Sequence, residues 1–221
     1  MRSIGSPEAP GNTPSAVGHT NAAKSAGAET FQGLTAVPVG SPEAIAAVHR
    51  SLPFPTDDEL RWLLDQGIDD DAMALPWPVR GARVRFDRDT FDFDLDGGRA
   101  LTFRSSDRGE TIDLIAWQPQ TGKLASWRGV AFCVGDVDDI FNPATYFAGS
   151  ALHVHKTPLE WLLANRQGIV IVRPDLAHAY LANRQRIVCP DARFAREVEA
   201  WVQPPKPIVE IFVAVAERAV A

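Results

Sequence analysis

The sequence predicts an α+β fold that leads into an α/β fold, in a chain of ordinary globular composition. The chain has 221 residues, of which 45% are hydrophobic and 23% are charged, and such proportions are typical of folded domains. Three patterns predict the fold class: helical periodicity before residue 75, alternation of apolar and polar residues from 81 to 135, and strand signals that alternate with helix signals after 151. We therefore expect N-terminal helices and an antiparallel β-meander, followed by a small β-α-β-α-β-α-β parallel sheet.

The first forty positions differ in composition from the rest of the chain. Residues 1–40 are rich in Gly, Pro, Ala and Ser and show no apolar period, so they cannot bury enough surface to offset the entropy of ordering. We expect a disordered tail over 1–40 and a single compact domain over 41–221. Within that domain we expect helices in 41–75, the meander in 81–135 and the β/α part in 151–217.

Capping residues mark the starts of the N-terminal helices. Ser41 precedes a proline, which is favoured at the first helical position. Thr56 and Glu59 have the spacing of a capping box, the leucines that follow fall on one helical face, and Gly67 ends that helix. A short third helix is expected within 69–75.

Alternation with a period of two marks the meander. The triplet 96–98, Asp-Gly-Gly, lies between two alternating segments and is a hairpin signal. Many polar positions of these segments are charged, so we expect one face of an open sheet to contact water. The expected strands are 82–86, 91–95, 100–104, 111–117, 123–127 and 130–134.

After residue 151, short apolar segments alternate with helix signals. Thr157 and Glu160 form a second capping box, and Asp191 is the expected N-cap of an amphipathic helix. The segment 169–172 consists of β-branched residues, which suits a strand covered on both faces. Right-handed helical crossovers are expected to join the parallel strands 151–155, 169–172, 186–189 and 208–215.

The charge balance and the missing motifs argue against several function classes. The net charge is −6 and only the part after residue 151 is weakly basic, so a surface that coats nucleic acid is not expected. The nucleophile elbow, the phosphate-binding P-loop and the dinucleotide-binding glycine motif are all missing from the sequence. No apolar run reaches the roughly 18 residues of a membrane span, and no secretory signal is recognisable, so we expect a cytoplasmic protein. Cys133 and Cys189 have no spaced partners and are expected to be buried, reduced thiols.

Two pairs of residues are candidate metal ligands. Asp136 and Asp138 alternate in an acidic loop, and carboxylates in such a loop suit Mg²⁺ or Ca²⁺. Ile140 stands where an EF-hand needs a polar ligand, which excludes that calcium motif. His153 and His155 share a strand face and can ligate one metal ion. The main expectation is that no cofactor binds, with Asp138 or Asp139 capping a short turn and one histidine facing a polar groove, and Mg²⁺ is the alternative.

Two strand ends carry candidate ligand-binding residues. Arg173 and Asp175 follow one predicted parallel strand, and Asp191 and Arg193 follow the next. The carboxyl ends of neighbouring parallel strands meet at one edge, where ligands of open α/β sheets bind. Helix N-termini and arginines at that edge favour an anion such as a phosphate. The competing role for both aspartates is N-capping alone.

The same segment resembles, at one position, the Toprim domain of primases and topoisomerases, a β/α fold that handles nucleic acid with Mg²⁺. Asp191 matches the first residue of the family's Asp-x-Asp pattern, whereas Arg193 occupies the position of the second Asp. Arg173 and Pro174 stand where the family has a Glu, usually before Gly. The resemblance implies a degenerate, metal-free relative and assigns no family.

These observations favour a soluble bacterial α/β binding or accessory module without recognisable catalytic machinery. The abundance of Ala and the excess of Arg over Lys are typical of a GC-rich bacterial genome. An accessory role in nucleic-acid metabolism is the most specific expectation, with an anionic small ligand or a protein as the partner. Two alternatives stay open: a Mg²⁺-dependent phosphoryl-transfer or hydrolytic enzyme that uses the aspartates, and a structural or assembly component.

Overall fold

Five strands close into a β-barrel in a computed structural model, which describes residues 40–141, 151–184 and 186–204. The helices are α1 (Pro42–Ser51), α2 (Asp57–Asp65), α3 (Asp70–Ala74), α4 (Asp138–Phe141), α5 (Pro158–Leu163), α6 (Ala177–Leu181) and α7 (Ala192–Val202). The strands are β1 (Arg80–Asp87), β2 (Thr90–Phe93), β3 (Gly98–Asp107), β4 (Glu110–Gln118), β5 (Lys123–Ser126), β6 (Cys133–Asp136), β7 (Leu152–His155), β8 (Ile169–Ile171) and β9 (Ile187–Val188).

The barrel closes because its first strand has two partners. The strand order is β1-β2-β5-β4-β3, and β3 pairs with β1 to complete the ring. All neighbouring barrel strands are antiparallel except β2 and β5, which meet in parallel at Thr90 and Ser126. An irregularity between Ser105 and Ser106 of β3 bends and twists the strand locally. Closure leaves no open edge in this part of the sheet.

One apolar cluster fills the barrel. It takes residues from all five barrel strands and from helix α1, and half of its members are alanines because the interior of a small barrel is narrow. The members are Ile45, Ala82, Val84, Phe91, Ala100, Leu114, Ala116 and Ala125.

Four further strands extend the sheet from β3. Strand β6 pairs in parallel with β3, and β8, β7 and β9 follow in that order. Successive residues of a strand point to opposite faces. Cys133 and Ile171 accordingly join the apolar cluster under α6 and α7, whereas Val134 and Val170 join a second cluster with α5. The extension is therefore covered on both faces.

The predicted fold class is wrong. The chain forms a closed mixed barrel with additional strands and is mostly sheet, instead of an open meander followed by a β-α-β-α-β-α-β parallel sheet. Strand β7 lies between β8 and β9 and pairs in parallel with each, whereas β6 pairs with β8 in antiparallel orientation. The strands expected at 169–172 and 186–189 are therefore not neighbours. The strand expected at 208–215 lies outside the described residues.

The physical reason for the difference is the way in which β3 and β4 are covered. A strand with one wet face alternates buried and exposed residues, but Leu101, Thr102 and Phe103 are all buried, and so are the residues 114–117. One face of these strands lines the barrel, while the other packs against α2, α5 and the extension. The alternation of buried and exposed residues that suggested a wet face is present on β1, where Arg83 and Arg85 are exposed.

Local signals were more reliable than the overall topology. Thr56 and Glu59 form the predicted capping box, Thr157 accepts a hydrogen bond from the backbone N–H of Glu160, and Asp191 caps α7. Within the described residues, no helix has the length and apolarity needed to cross a membrane. The predicted tail lies almost entirely outside the described residues and stays a prediction.

Candidate ligand-binding pocket

A cavity of about 240 Å³ opens beside the barrel. Its walls come from the end of β3, the segment 76–78 that follows α3, the end of β6, and α5 with the turn after it. We call this cavity the arginine–tryptophan pocket and define it by its principal lining residues: Trp77, Phe103, Arg104, Asp136, Trp161 and Arg166. Its volume lies below the roughly 300 Å³ at which sites for drug-sized ligands begin.

Arg104 presents a half-buried cation to the pocket from β3. Its guanidinium carbon lies 3.7 Å from the centre of the Trp77 ring, which is a cation–π contact. Its Nε donates to Thr111 Oγ1 over 2.5 Å, and its Nη2 donates to the same oxygen. Burial lowers the pKa of Arg104, and the nearby charge of Arg50 adds to that effect. In the part of the chain that the structure describes, Nη1 donates to no acceptor, so Arg104 keeps hydrogen-bonding capacity for a ligand.

Arg166 lines the same pocket, but each of its three side-chain nitrogens already donates a hydrogen bond to the backbone. Its Nε, Nη1 and Nη2 donate to the backbone oxygens of Ala72, Trp77 and Met73 at 2.7, 2.8 and 3.2 Å. Asn165 and Arg166 both have left-handed backbone conformations, with φ of 49° and 60°, where the chain turns after α5. Burial lowers the pKa of Arg166 to about 10, so the side chain is charged at neutral pH. Arg166 therefore holds the segment that carries Trp77 and adds positive charge to the pocket.

Asp136 places a carboxylate in the pocket at the end of β6. Its Oδ2 accepts from Ser106 Oγ and from the Gly109 N–H, both at 3.1 Å, and its Oδ1 accepts from the Asp138 N–H at 2.8 Å. These donors are neutral, so they orient the carboxylate without cancelling its charge. An ionised carboxylate has about four acceptor positions, which leaves one for a ligand.

Aromatic rings form much of the remaining lining. Phe103 and Trp161 pack edge to face, with ring centres 6.0 Å apart and an interplanar angle of 85°. The indole Nε1 of Trp161 donates to the Gly168 oxygen at 2.9 Å, so its one polar atom is satisfied. Trp77 lies at the opening and is 38% exposed.

Three arginines concentrate positive charge in this part of the molecule. The pKa of buried His49 falls to about 4, chiefly because burial disfavours its charged form. A hydrogen bond with the backbone of Thr102 raises this pKa, whereas the positive charges of Arg104, Arg80 and Arg166 lower it. Among the described residues, none of these three arginines forms an ion pair. The chain as a whole has a net charge of −6, so this cluster of half-buried arginines is a local region of opposite sign. Because these arginines have no carboxylate partner among the described residues, the region favours binding of an anion.

The residues predicted to bind a ligand at the strand ends pair locally instead. Arg173 forms a two-point ion pair with Asp175, with Nε–Oδ1 at 2.8 Å and Nη2–Oδ2 at 2.6 Å, which lowers the pKa of Asp175. A hydrogen bond from Lys156 lowers the pKa of Asp191, and Arg193 pairs with a glutamate one turn further along α7. Because β7 separates the two strand ends, no contact between the described side chains brings the four predicted residues together.

The predicted metal ligands do not come together either. Asp136 lines the pocket, and Asp138 contributes its backbone N–H to Asp136. His153 is exposed, His155 Nε2 donates to the Gln167 oxygen at 2.9 Å, and the two imidazole centres are 6.3 Å apart. Across residues 40–141, 151–184 and 186–204, no three His, Cys, Asp or Glu side chains form a group that can hold a metal ion.

The two cysteines form no disulfide bond within the described residues, and they lie in different surroundings. Cys133 is fully buried at the start of β6, as predicted, whereas Cys189 is only half-buried after β9. Burial raises the pKa of the Cys189 thiol, and the charge of Asp191 adds to this shift.

Sequence reasoning identified one residue of the pocket, Asp136, and missed the pocket itself. Phe103, Arg104, Trp161 and Arg166 come from elements that are distant in sequence, and no motif connects them. Trp77 carries the one local signal, because a tryptophan between two prolines is unsuited to a helix interior or a central strand.

Comparisons with protein-family models, with curated proteins and with solved structures find no match to this chain. The Toprim resemblance thus has no support beyond Asp191. The function has to be inferred from the chemistry of the pocket, since a fold alone does not determine function.

Proposed function

We propose that this chain is a binding module that holds a small, negatively charged ligand in the arginine–tryptophan pocket. The observation that carries the proposal is the state of Arg104: a half-buried guanidinium on the face of Trp77, with free donors and no carboxylate partner among the described residues. A partly buried charge without a partner is unfavourable. An anionic ligand supplies the missing acceptors and the missing charge.

The neighbouring charges support an anion at this site. Arg166 lines the pocket, and Arg50 lies close enough to lower the pKa of Arg104 by repulsion. An anion between these groups relieves that repulsion, and the effect is larger in a partly dehydrated cavity than in water. The planar guanidinium of Arg104 suits carboxylate and phosphate groups, which accept two parallel hydrogen bonds.

The anionic ligand expected from the sequence is retained here, and its site is different. Arg173 and Arg193 are already paired with carboxylates of their own segments, whereas Arg104 is not. The small volume of the pocket favours a single small molecule over an oligonucleotide.

Isothermal titration calorimetry with inorganic phosphate, acetate and benzoate tests the proposed function. We expect at least one of these anions to bind, and we expect Arg104→Gln to weaken that binding by about tenfold or more, because a charge-assisted hydrogen bond is lost. Arg83→Gln changes an exposed arginine on β1 and serves as the matched control, which should bind like the wild type. Absence of binding, or equal binding by Arg104→Gln, would show that the function is wrong.

Mg²⁺ and a short single-stranded oligonucleotide belong in the same titration series. Saturable Mg²⁺ binding that Asp136→Asn abolishes would favour the enzyme alternative over anion binding. Oligonucleotide binding that is tighter than the binding of all three small anions would favour a role in nucleic-acid metabolism through another surface.

A further inference from the structure

We infer that the ligand is a zwitterion: a free α-amino acid with an apolar side chain. This assignment rests on the proposed function, because it names the class of small anion that the pocket takes. It comes from a juxtaposition in one small cavity, which is lined by the Arg104 cation, the Asp136 carboxylate and the rings of Trp77, Phe103 and Trp161.

The two opposite charges line the cavity without neutralising each other. Arg104 and Asp136 are both lining residues, yet no nitrogen of Arg104 lies within the 4.0 Å of an Asp136 oxygen that defines an ion pair. The Arg104 side chain contacts Thr111 and Trp77 instead. A simple anion would satisfy Arg104 but would bring negative charge towards Asp136. A molecule with a carboxylate and an ammonium group satisfies both.

The scaffold holds the two charges apart. Asp136 is tied by Ser106 of β3, by the β3–β4 turn at Gly109 and by the backbone of Asp138, and Ser106 and Asp136 are register partners of the parallel strands β3 and β6. Arg104 is tied to Thr111 of β4 and stacked on Trp77. Neither side chain has to reorganise when a ligand binds between them, which lowers the cost of binding.

The rest of the lining selects the ligand's side chain. Phe103 and Trp161 present aromatic surface, and the single polar atom of the Trp161 ring is satisfied by Gly168. Pro76, Pro78 and Trp77 complete an apolar wall. An apolar side chain buries against these groups without leaving a polar group unpaired. The volume of the pocket suits one amino acid better than a nucleotide.

A ligand series on the wild-type chain tests the inference without any variant. Thermal-shift measurements with each proteinogenic α-amino acid identify the best ligand, which we expect to have an apolar side chain. Calorimetry then compares this amino acid with its N-acetyl derivative, which keeps only the acid, and with its decarboxylated amine, which keeps only the base. We expect each of the two derivatives to bind at least about tenfold more weakly, because each loses one charge-assisted contact.

Two variants assign the two ends of the ligand. Arg104→Gln should weaken binding of the amino acid and of its N-acetyl derivative. Asp136→Asn should weaken binding of the amino acid, which loses the partner of its ammonium group, but should not weaken binding of the N-acetyl derivative, whose carboxylate no longer faces the negative charge of Asp136. Melting curves of both variants verify that they are folded, and the wild-type series decides the question if one is not.

The outcomes separate this inference from the proposed function. If the N-acetyl derivative or phosphate binds as tightly as the amino acid, in a way that depends on Arg104, the pocket takes anions and the zwitterion assignment is wrong. If no compound binds in a way that depends on Arg104, both the assignment and the proposed function are wrong.

Discussion

At the scale of single residues, Asp113 shows how one buried carboxylate fixes a loop. Asp113 is fully buried on β4, and its oxygens accept from the backbone N–H groups of Leu114, Arg128, Val130 and Ala131 at 2.8 to 3.3 Å. Burial raises the pKa of Asp113, and the four N–H groups oppose that shift. The loop that these bonds organise leads from the barrel to β6 and so positions Asp136.

Asp113→Asn should lower the free energy of unfolding by about 3 kcal/mol, because the new NH₂ group faces backbone donors and leaves buried N–H groups without acceptors. Urea denaturation at neutral pH measures the change. Asp92→Asn makes the same substitution at an exposed position of β2 and should change the free energy little. A loss below about 1 kcal/mol in Asp113→Asn would contradict the role given to this side chain.

His49 is the residue that should make stability sensitive to mild acid. It is 1% exposed, and its Nε2 has no partner among the described residues. Its pKa falls from the ordinary value of 6.5 to about 4, chiefly through burial. Between these two pH values the unfolded chain binds more protons than the folded chain, so the free energy of unfolding falls as the pH falls. The His49 contribution to that loss is about 3 kcal/mol at most.

The measurement is the free energy of unfolding at pH 7 and at pH 4.5 for the wild type and for His49→Gln. We expect a smaller pH dependence in His49→Gln, whatever its stability at neutral pH. His153→Gln removes an exposed histidine and should keep the wild-type dependence. Equal pH dependence in the wild type and in His49→Gln would refute the assignment.

At the scale of elements, Arg166 connects the turn after α5 to α3 and to the segment after it. The planar guanidinium donates to three backbone oxygens, those of Ala72, Met73 and Trp77. Arg166→Lys keeps the charge but replaces this fork by a single ammonium group, which cannot reach all three. We expect a loss of at least about 2 kcal/mol in the free energy of unfolding, measured by thermal or urea denaturation. Arg196→Lys, at an exposed position of α7, should be close to neutral, and similar losses in both variants would contradict the argument.

Elements were predictable from the sequence to the extent that their signals are local. The capping box at Thr56 and the N-cap at Thr157 depend on residues within a few positions of one another, and the structure has both. The hairpin expected at 96–98 is wrong, because β2 and β3 each pair with β1 and not with each other. Closure of the barrel depends on the pairing of β2 with β5 at Thr90 and Ser126. That pairing joins segments that are distant in sequence and has no periodic signature.

The candidate site was hidden for the same reason. Asp136 stood out because it lies in an acidic segment. Arg104 did not, because the chain has many arginines and this one lies in a strand without any local motif. What distinguishes Arg104 is the absence of a carboxylate beside it among the described residues and the presence of Trp77. Both features are consequences of tertiary structure, so charge and spacing in the sequence could not indicate them.

At the scale of the whole molecule, one apolar cluster joins the barrel to the extension. It combines outward-facing residues of β3 and β4 with residues of α2, α3, α5, β6 and β8. The cluster includes Leu63, Ala72, Leu101, Phe103, Ile115, Trp117, Val134, Trp161, Leu162 and Val170. Because these side chains belong to both parts, we expect the barrel and the extension to unfold together. Helix α5 is the test position, since it contributes to this cluster and also lines the pocket.

Leu162→Ala and Leu163→Ala make the same change at adjacent positions of α5. Leu162 is fully buried in the shared cluster, whereas Leu163 is 50% exposed. Removing buried methyl groups costs the transfer free energy and a cavity term, so Leu162→Ala should lose about 3 kcal/mol and Leu163→Ala about 1 kcal/mol or less. Tryptophan fluorescence reports both parts, and circular dichroism reports the sheet. We expect both probes to give one coincident urea transition in Leu162→Ala, shifted to lower urea. If α5 stabilised the extension alone, the two probes would show two separate transitions, and the barrel would unfold at the same urea concentration as in the wild type.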